Sequence, residues 1–200
     1  MKVAVFGAKG KVGTVLCQLL HQLGHVVVEI DKDDCLESDC NVAIDFSCAQ
    51  ATEKVVNYCK KFKTPLVCGT TGHTENQLKM LKNLENDVKV VKKANFSIGF
   101  GEMEKVVAQM KKALPNWDVE IVETHKKDKL DKPSGSSKVL ADLVQLDQQA
   151  IHSLRLGNCS GEHQVTFTCQ WESLTITHKV DNRISFALGA VKIAESIAKK

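Results

Sequence analysis

Lys2-Val3-Ala4-Val5-Phe6-Gly7-Ala8-Lys9-Gly10-Lys11-Val12-Gly13 is the stretch whose reading decides the fold. A short apolar run ends in glycines spaced G-x-x-G-x-x-G. Val12, Val15, Leu16, Leu19 and Leu23 then recur at helical spacing, with Gly24 at the C′ place. Val26-Val27-Val28-Glu29-Ile30 follows as a buried-type strand with Asp31 at its end. Strand, glycine turn, helix, strand and acid is the order of a dinucleotide-binding unit. The first glycine makes the tight turn, the second lets the backbone approach a pyrophosphate, and the third lets helix pack closely on strand. A purely structural turn is the alternative, and the strand, helix and acid together favour a nicotinamide nucleotide. Asp31 can accept from a ribose 2′-OH, whereas Lys32, Lys9 and Lys11 can take a 2′-phosphate, so NADH and NADPH both stay open.

Working outward, residues 32–41 are too few for a full crossover helix before the next strand, Val42-Ala43-Ile44-Asp45-Phe46. Ala51, Val55, Val56, Cys59 and Phe62 mark an amphipathic helix, and Pro65-Leu66-Val67-Cys68 a strand. Gly69-Thr70-Thr71-Gly72 then falls on the edge where open α/β sheets bind ligands, although a plain turn reads equally well. Thr74 and Gln77 form a capping box ahead of Leu78, Leu81 and Leu84. A fifth strand is expected at Val88-Lys89-Val90-Val91, and Ala94-Asn95-Phe96-Ser97-Ile98-Gly99 leaves the sheet.

The pattern then changes. Met103, Val106, Val107, Met110 and Leu114 give a helix stopped near Pro115, and Trp117, Val119 and Ile121 alternate along a strand. Val139, Leu140, Leu143 and Val144 form a helix. Strand-like runs follow at Ser153–Leu156, Gln164–Gln170 and Leu174–Val180, then a last helix through Phe186, Ala190 and Ile197. Strands in succession after alternating βα units point to a second, mostly antiparallel α+β domain, whose free sheet face is available to an oligomer. The expected fold is α/β: a Rossmann-type dinucleotide-binding domain (1–97 with the helix 186–200) plus an α+β domain (98–185) with a mostly open mixed sheet.

Between strand and helix in the second domain lies His125-Lys126-Lys127-Asp128-Lys129-Leu130-Asp131-Lys132-Pro133-Ser134-Gly135-Ser136. Strand, cationic loop and helix N-terminus is an order that builds a site for a small anion, because the first backbone N–H groups of a helix point at the ligand. A solvated lysine loop is the alternative. Composition narrows the rest. With 43% hydrophobic and 26% charged residues the chain is an ordinary globular protein. A net charge of +3 and 5% aromatics give nucleic acid little to bind. No run of eighteen apolar residues spans a membrane, and no signal-like segment opens the chain, so a cytoplasmic protein is expected. Its eight cysteines follow no framework spacing and read as reduced thiols. Cys159 and His163 lack a second ligand pair, so no metal is expected.

The chain resembles the dihydrodipicolinate reductase (4-hydroxy-tetrahydrodipicolinate reductase) family of diaminopimelate and lysine biosynthesis. The resemblance runs through Gly7–Gly13, Ile44-Asp45-Phe46-Ser47, Gly69-Thr70-Thr71-Gly72 and Ala94-Asn95-Phe96-Ser97-Ile98-Gly99. It continues through Glu123-Thr124-His125, Lys129-Leu130-Asp131-Lys132-Pro133-Ser134-Gly135, Arg155-Leu156-Gly157, Gly161-Glu162-His163 and Phe186-Ala187-Leu188-Gly189-Ala190. The resemblance implies an NADH- or NADPH-dependent reductase acting on a small cyclic dicarboxylate, and a homotetramer built on the second sheet. It implies that His125 is the acid/base group, Lys129 the proton donor, and that Ser134, Gly135 and Ser136 hold a substrate carboxylate. Gly7, Ala8, Lys9, Gly10, Lys11 and Val12 match the pyrophosphate turn, and Asp31 and Lys32 the residues at the adenosine ribose. Gly69, Thr70 and Thr71 with Ala94, Asn95, Phe96 and Ser97 match the segments lining the nicotinamide end, where Thr70 also meets substrate. Two positions depart from the family. Ser136 replaces a threonine, which keeps the hydroxyl. Lys126 replaces a second, substrate-binding histidine, and an ammonium offers a point charge in place of a planar ring. Rival readings are an aspartate- or homoserine-type dehydrogenase, which does not need the His-to-Gly string, and a non-catalytic nucleotide-binding regulator, which needs neither His125 nor Lys129.

Overall fold

The computed structural model describes residues 1–31 and 39–199. Two compact units divide the chain: Met1–Phe96 together with the segment from Arg183, and Ser97–Asn182. In the first unit β1 (Lys2–Phe6), β2 (Val26–Ile30), β3 (Val42–Asp45), β4 (Leu66–Cys68) and β5 (Val90–Lys92) form a parallel sheet in the order β2-β1-β3-β4-β5. Alternation decides which side each residue buries. Val3 and Val5 join Leu16 and Leu20 of α1 (Gly13–Gln22) on one side, with Ala187, Ala190 and Ala194 of the C-terminal helix. Ala4 and Phe6 face the other side, against Val55 and Cys59 of α2 (Thr52–Phe62) and Leu81 and Leu84 of α3 (Glu75–Leu84). Both faces of the sheet are therefore covered, as parallel sheets require.

Local signals set the element ends. Gly24, at φ +76°, closes α1 by donating to the His21 carbonyl. Thr74 and Gln77 cap α3 reciprocally. The fifth strand begins two residues later than expected, at Val90. After β2 the chain crosses to the far side of β1, so the topological switch lies at the C-terminal ends of β1 and β3, where Gly7 and Ser47 sit.

In the second unit β6 (Asp118–His125) is central, flanked by β7 (His152–Arg155) and β8 (Glu162–Thr168), with β9 (Ser173–Lys179) beyond β8. The β6–β7 pair is parallel and the other two pairs are antiparallel, which makes the sheet mixed. One face packs Ile121, Val165 and Phe167 against Phe100 and Val107 of α4 (Ile98–Ala113) and Leu140 of α5 (Gly135–Val144). The opposite face carries Glu120, Thr166 and Thr175, side by side across three strands, with no helix of this unit over it. The last helix, α6 (Ile184–Ile197), belongs to the first unit. A Cβ on Gly189 would lie 1.7 Å from the Phe96 carbonyl oxygen, so only glycine lets α6 close onto that segment.

Candidate active site

Strand periodicity alone creates the polar centre of the second unit. Val119, Ile121, Glu123 and His125 share the helix-covered face of β6. Register places Glu123 beside Ser153 of β7 and His163 of β8, and His163 beside His178 of β9. A polar row thus crosses all four strands, one step beyond the apolar row of Ile121, Val165 and Ile176. Phe100 covers it, with its ring centroid 5.3 Å from that of His163 and 5.7 Å from that of His178.

Glu123 has no solvent exposure, and a buried carboxylate survives only when its lone pairs are filled. Its Oε1 accepts from the Ser134 backbone N–H at 3.1 Å and from the Arg155 guanidinium at 2.8 Å. Its Oε2 accepts from the Ser137 hydroxyl at 3.0 Å, and His125 Nδ1 lies 3.0 Å away, in ion-pair reach though out of line for a hydrogen bond. Burial works to raise this carboxyl, yet His125, Ser134 and Arg155 hold it far below the usual carboxylate range. His163 is the reverse case: burial and the neighbouring His125 push it down to about 3, so the ring is neutral. Glu123, His125 and His163 bring donor atoms within 4.8 Å of one another. The Glu123 carboxylate already accepts three hydrogen bonds, which makes the cluster a hydrogen-bond hub.

The cationic loop hangs from this hub. Leu156 N–H donates to the His125 carbonyl at 3.0 Å and Lys127 N–H to the Gly157 carbonyl at 3.2 Å, which fastens the loop's start to the end of β7. Lys126 Nζ donates to Asp128 at 2.8 Å and Lys129 Nζ to Asp131 at 2.6 Å. At the far end Ser134 caps α5, its hydroxyl accepting from Ser137 N–H at 3.2 Å. His125, Ser134 and Ser136 are buried, while the helix's first N–H groups have no intrahelical partner by position. Sequence reasoning thus brought His125, Lys126, Lys129 and Ser134–Ser136 into one loop. It gave no role to Glu123, Arg155 or Ser137. The available signal was the alternation, which puts a carboxylate where a core residue belongs.

The first unit offers a cradle for the nucleotide. Gly7 has φ +78°, and a Cβ on Gly13 would sit 2.0 Å from the Gly7 carbonyl oxygen, so the turn closes onto α1 only with glycines. The helix has no side-chain cap and no acid in its first turn, which leaves its positive end to a phosphate. A cavity of about 440 Å³ opens beside it, lined by Gly7, Gly10, Asp31, Ser47, Cys48 and Lys54 among others. Lys9 lies 3.5 Å from the Asp31 carboxylate, and Lys54 Nζ donates to the Asp31 carbonyl at 2.8 Å. Lys54 was not singled out in the sequence, and Lys32 lies outside the described residues.

At the C-terminal edge of the same sheet Asp45 is buried and accepts from Ser47 N–H at 3.0 Å and from the Cys68 thiol at 3.5 Å. Burial and Asp45 push that thiol up to about 12, so it stays protonated. A Cβ on Gly69 would strike the Phe46 ring at 2.3 Å, and Phe46 meets Phe96 edge-on at 5.6 Å. Thr70 presents a buried hydroxyl with no partner among the described residues, as do both ring nitrogens of His73. A ligand carboxamide or carboxylate satisfies such groups. In the second unit the Ser97 hydroxyl lies 3.0 Å from His178 Nε2.

Two family models match the chain, "Dihydrodipicolinate reductase, N-terminus" over residues 23–96 and "Dihydrodipicolinate reductase, C-terminus" over residues 99–200. A 4-hydroxy-tetrahydrodipicolinate reductase of Thermosipho africanus is 42% identical over 202 residues, covering 100% of this chain and 93% of the relative. One of Sulfurimonas denitrificans is 33% identical over 241 residues, covering 100% and 94%. Among solved structures, a dipicolinate-bound dihydrodipicolinate reductase of Paenisporosarcina sp. TG-14 shares the fold with a TM-score of 0.79 at 22% identity, over 99% of this chain and 94% of that one. An aspartate dehydrogenase of Thermotoga maritima resembles the fold more loosely, with a TM-score of 0.57 at 10% identity over 100% and 97% of the chains.

Proposed function

The chain belongs to the dihydrodipicolinate reductase family, and on that premise we propose how its residues share the reduction of 4-hydroxy-tetrahydrodipicolinate to tetrahydrodipicolinate by NADH or NADPH. The bound nicotinamide supplies the hydride. Gly7, Ala8, Lys9, Gly10, Lys11 and Val12, with the N-terminus of α1, hold the pyrophosphate. Asp31 accepts from the adenosine ribose, Lys9 and Lys54 add positive charge beside it, and Lys32 stays assigned to the same end. Gly69, Thr70 and Thr71 with Ala94, Asn95, Phe96 and Ser97 line the nicotinamide end, and the Thr70 hydroxyl also meets the substrate.

The dicarboxylate is assigned to the second unit. Ser134, Gly135 and Ser136 hold one carboxylate at the start of α5, and Lys126 pairs with carboxylate charge in place of the family's histidine. The ring takes up a proton as the hydride arrives, and Lys129 or His125 supplies it as general acid. The observation that carries this reading is the single loop that joins His125, Lys126 and Lys129 to the first turn of α5. A nucleotide-binding regulator would need neither His125 nor Lys129. The helix-free face of the second sheet supports the homotetramer. No described helix is long and apolar enough to cross a membrane, and the cytoplasm is the proposed location.

A coupled assay tests the function. Dihydrodipicolinate synthase makes the substrate in situ, this protein is added, and oxidation of NADH and NADPH is followed separately. Oxidation with at least one cofactor is expected, and none with either would remove the assignment.

A further inference from the structure

We infer that Glu123 is a positioning residue of this reaction: it fixes the orientation and tautomer of His125 and ties both ends of the anion-binding loop to one point. The inference rests on the reading of His125 as an acid/base group. Burying an ionised carboxylate costs several kcal/mol unless donors surround it, and a leucine at position 123 would continue the apolar row of the strand. The four groups on Glu123 come from separate parts of the site. His125 begins the loop, Ser134 and Ser137 open the helix that ends it, and Arg155 comes from the neighbouring strand. The same Arg155 nitrogen donates to the Asp131 carbonyl at 2.6 Å, so the loop's middle hangs from the carboxylate as well.

The tautomer follows from lone-pair counting. An ionised carboxylate only accepts, so even without an in-line hydrogen bond a ring nitrogen 3.0 Å from Glu123 Oε2 is favoured electrostatically as N–H and repelled as a bare lone pair. Nδ1 therefore carries a proton, and Nε2 is the nitrogen left for chemistry: when the ring acts as general acid it does so as the imidazolium, giving up the Nε2 proton while Nδ1–H stays against the carboxylate that stabilises the cation. Nε2 lies on the side of Gly161, where an added Cβ would stand 3.2 Å away, so the glycine keeps that side open. Near that ring stands His163, which is kept neutral, with its centroid 5.2 Å away. The two histidines therefore do not compete as charges. Glutamine at position 123 would keep its oxygen toward Arg155 and Ser134, both obligate donors. Its NH2 would then face His125 Nδ1, which must become the acceptor and hand its proton to Nε2. A buried acid orienting a catalytic imidazole is the logic of the hydrolase triads, where the amide substitution gives the wrong tautomer.

Nitrogen NMR of histidine-labelled protein reads the tautomer directly, with the His125 signals identified by their loss in His125→Gln. In the parent, neutral His125 is expected to carry its proton on Nδ1, and in Glu123→Gln on Nε2. In the coupled assay Glu123→Gln should lose on the order of 10²-fold or more in kcat, the scale of general acid catalysis. Its KM for the nicotinamide cofactor should stay within about threefold, because binding that the change does not touch is uniform. Glu123→Asp, which keeps an acceptor-only group, should recover part of kcat. A parent ring protonated on Nε2 overturns the inference, and that measurement stands even if Glu123→Gln does not fold. An unchanged tautomer in folded Glu123→Gln overturns it too. A tautomer that moves with no loss of kcat supports the positioning and instead removes His125 from the chemistry.

Discussion

Arg155 reaches Glu123 Oε1 at 2.8 Å through the same terminal nitrogen that donates to the Asp131 carbonyl at 2.6 Å. One side chain from β7 therefore couples the buried acid to the middle of the loop that follows β6. In Arg155→Met the carboxylate loses its one permanently charged partner among the described residues. The expected cost is about 3–5 kcal/mol, the range for breaking a buried ion pair from one side. Urea midpoints measure it, and a loss below about 1 kcal/mol would mean that Glu123 finds another cation.

Two helical glycines should respond in opposite directions. A Cβ added to Gly189 would stand 1.7 Å from the Phe96 carbonyl oxygen, whereas one added to Gly101 of α4 meets nothing within 4 Å. Gly101→Ala should stabilise by about 0.5–1 kcal/mol. Gly189→Ala should lower the thermal midpoint and raise the KM for the cofactor, because Ala94–Phe96 must move aside. Equal midpoints for the two variants would contradict the packing.

His163 makes stability depend on pH. Its pKa of about 3 in the fold stands against about 6.5 in an unfolded chain. Below pH 6.5 the unfolded chain takes up a proton that the folded ring refuses. The contribution is fully present above that pH and is lost as pH falls toward 3, at up to about 1.4 kcal/mol per pH unit. Between pH 7 and pH 5 the parent should lose about 2 kcal/mol more than His163→Phe in urea denaturation. The depressed carboxyl of Glu123 adds its own loss only below about pH 4.3, where the unfolded acid protonates.

The two loop lysines should separate kinetically. Lys129→Met is expected to lower kcat by about 10²–10⁴-fold, as removal of a general acid does. Lys126→Met should raise the KM for the dicarboxylate with kcat near the parent value, the signature of lost uniform binding. Steady-state kinetics in the coupled assay distinguish them, and a kcat effect at Lys126 with no KM effect would exchange their roles.

Lys54 should tune cofactor choice. It holds the Asp31 carbonyl at 2.8 Å inside the nucleotide cavity, beside an acid that disfavours a 2′-phosphate. In Lys54→Met the KM for NADPH should rise more than that for NADH, measured side by side. An equal rise would mean that Lys54 supports only the backbone.

The succession of elements in the first unit was legible because G-x-x-G-x-x-G, apolar runs and caps are local signals, whereas the strand order β2-β1-β3-β4-β5 came from the structure. Gly7, Gly24 and Thr74 do in space what their spacing announces. The cationic loop was legible for the same reason, as one continuous string ending at a cap. Glu123, Arg155 and His163 lie within the recognisable motifs, but their meaning comes from cross-strand register, which those motifs do not carry. Pairing partners in β6, β7 and β8 lie some 30 to 50 residues apart in the chain, and no local pattern reports them. Lys54 was silent for a related reason. It sits on a helix that reads as amphipathic, and only its approach to Asp31 distinguishes it from any surface lysine.

Lys126 and Lys129 each already hold a carboxylate two residues further on, Asp128 and Asp131. Under the proposed function, a dicarboxylate entering this loop displaces acids that are already seated. Arrival is an exchange of one anion for another, with the number of ion pairs nearly conserved. Salt weakens both sides of such an exchange, so affinity should fall less with ionic strength than two bare lysines would dictate. Discrimination then rests on what the resident aspartates cannot imitate, a rigid ring that spans the lysines and the opening turn of α5 at once.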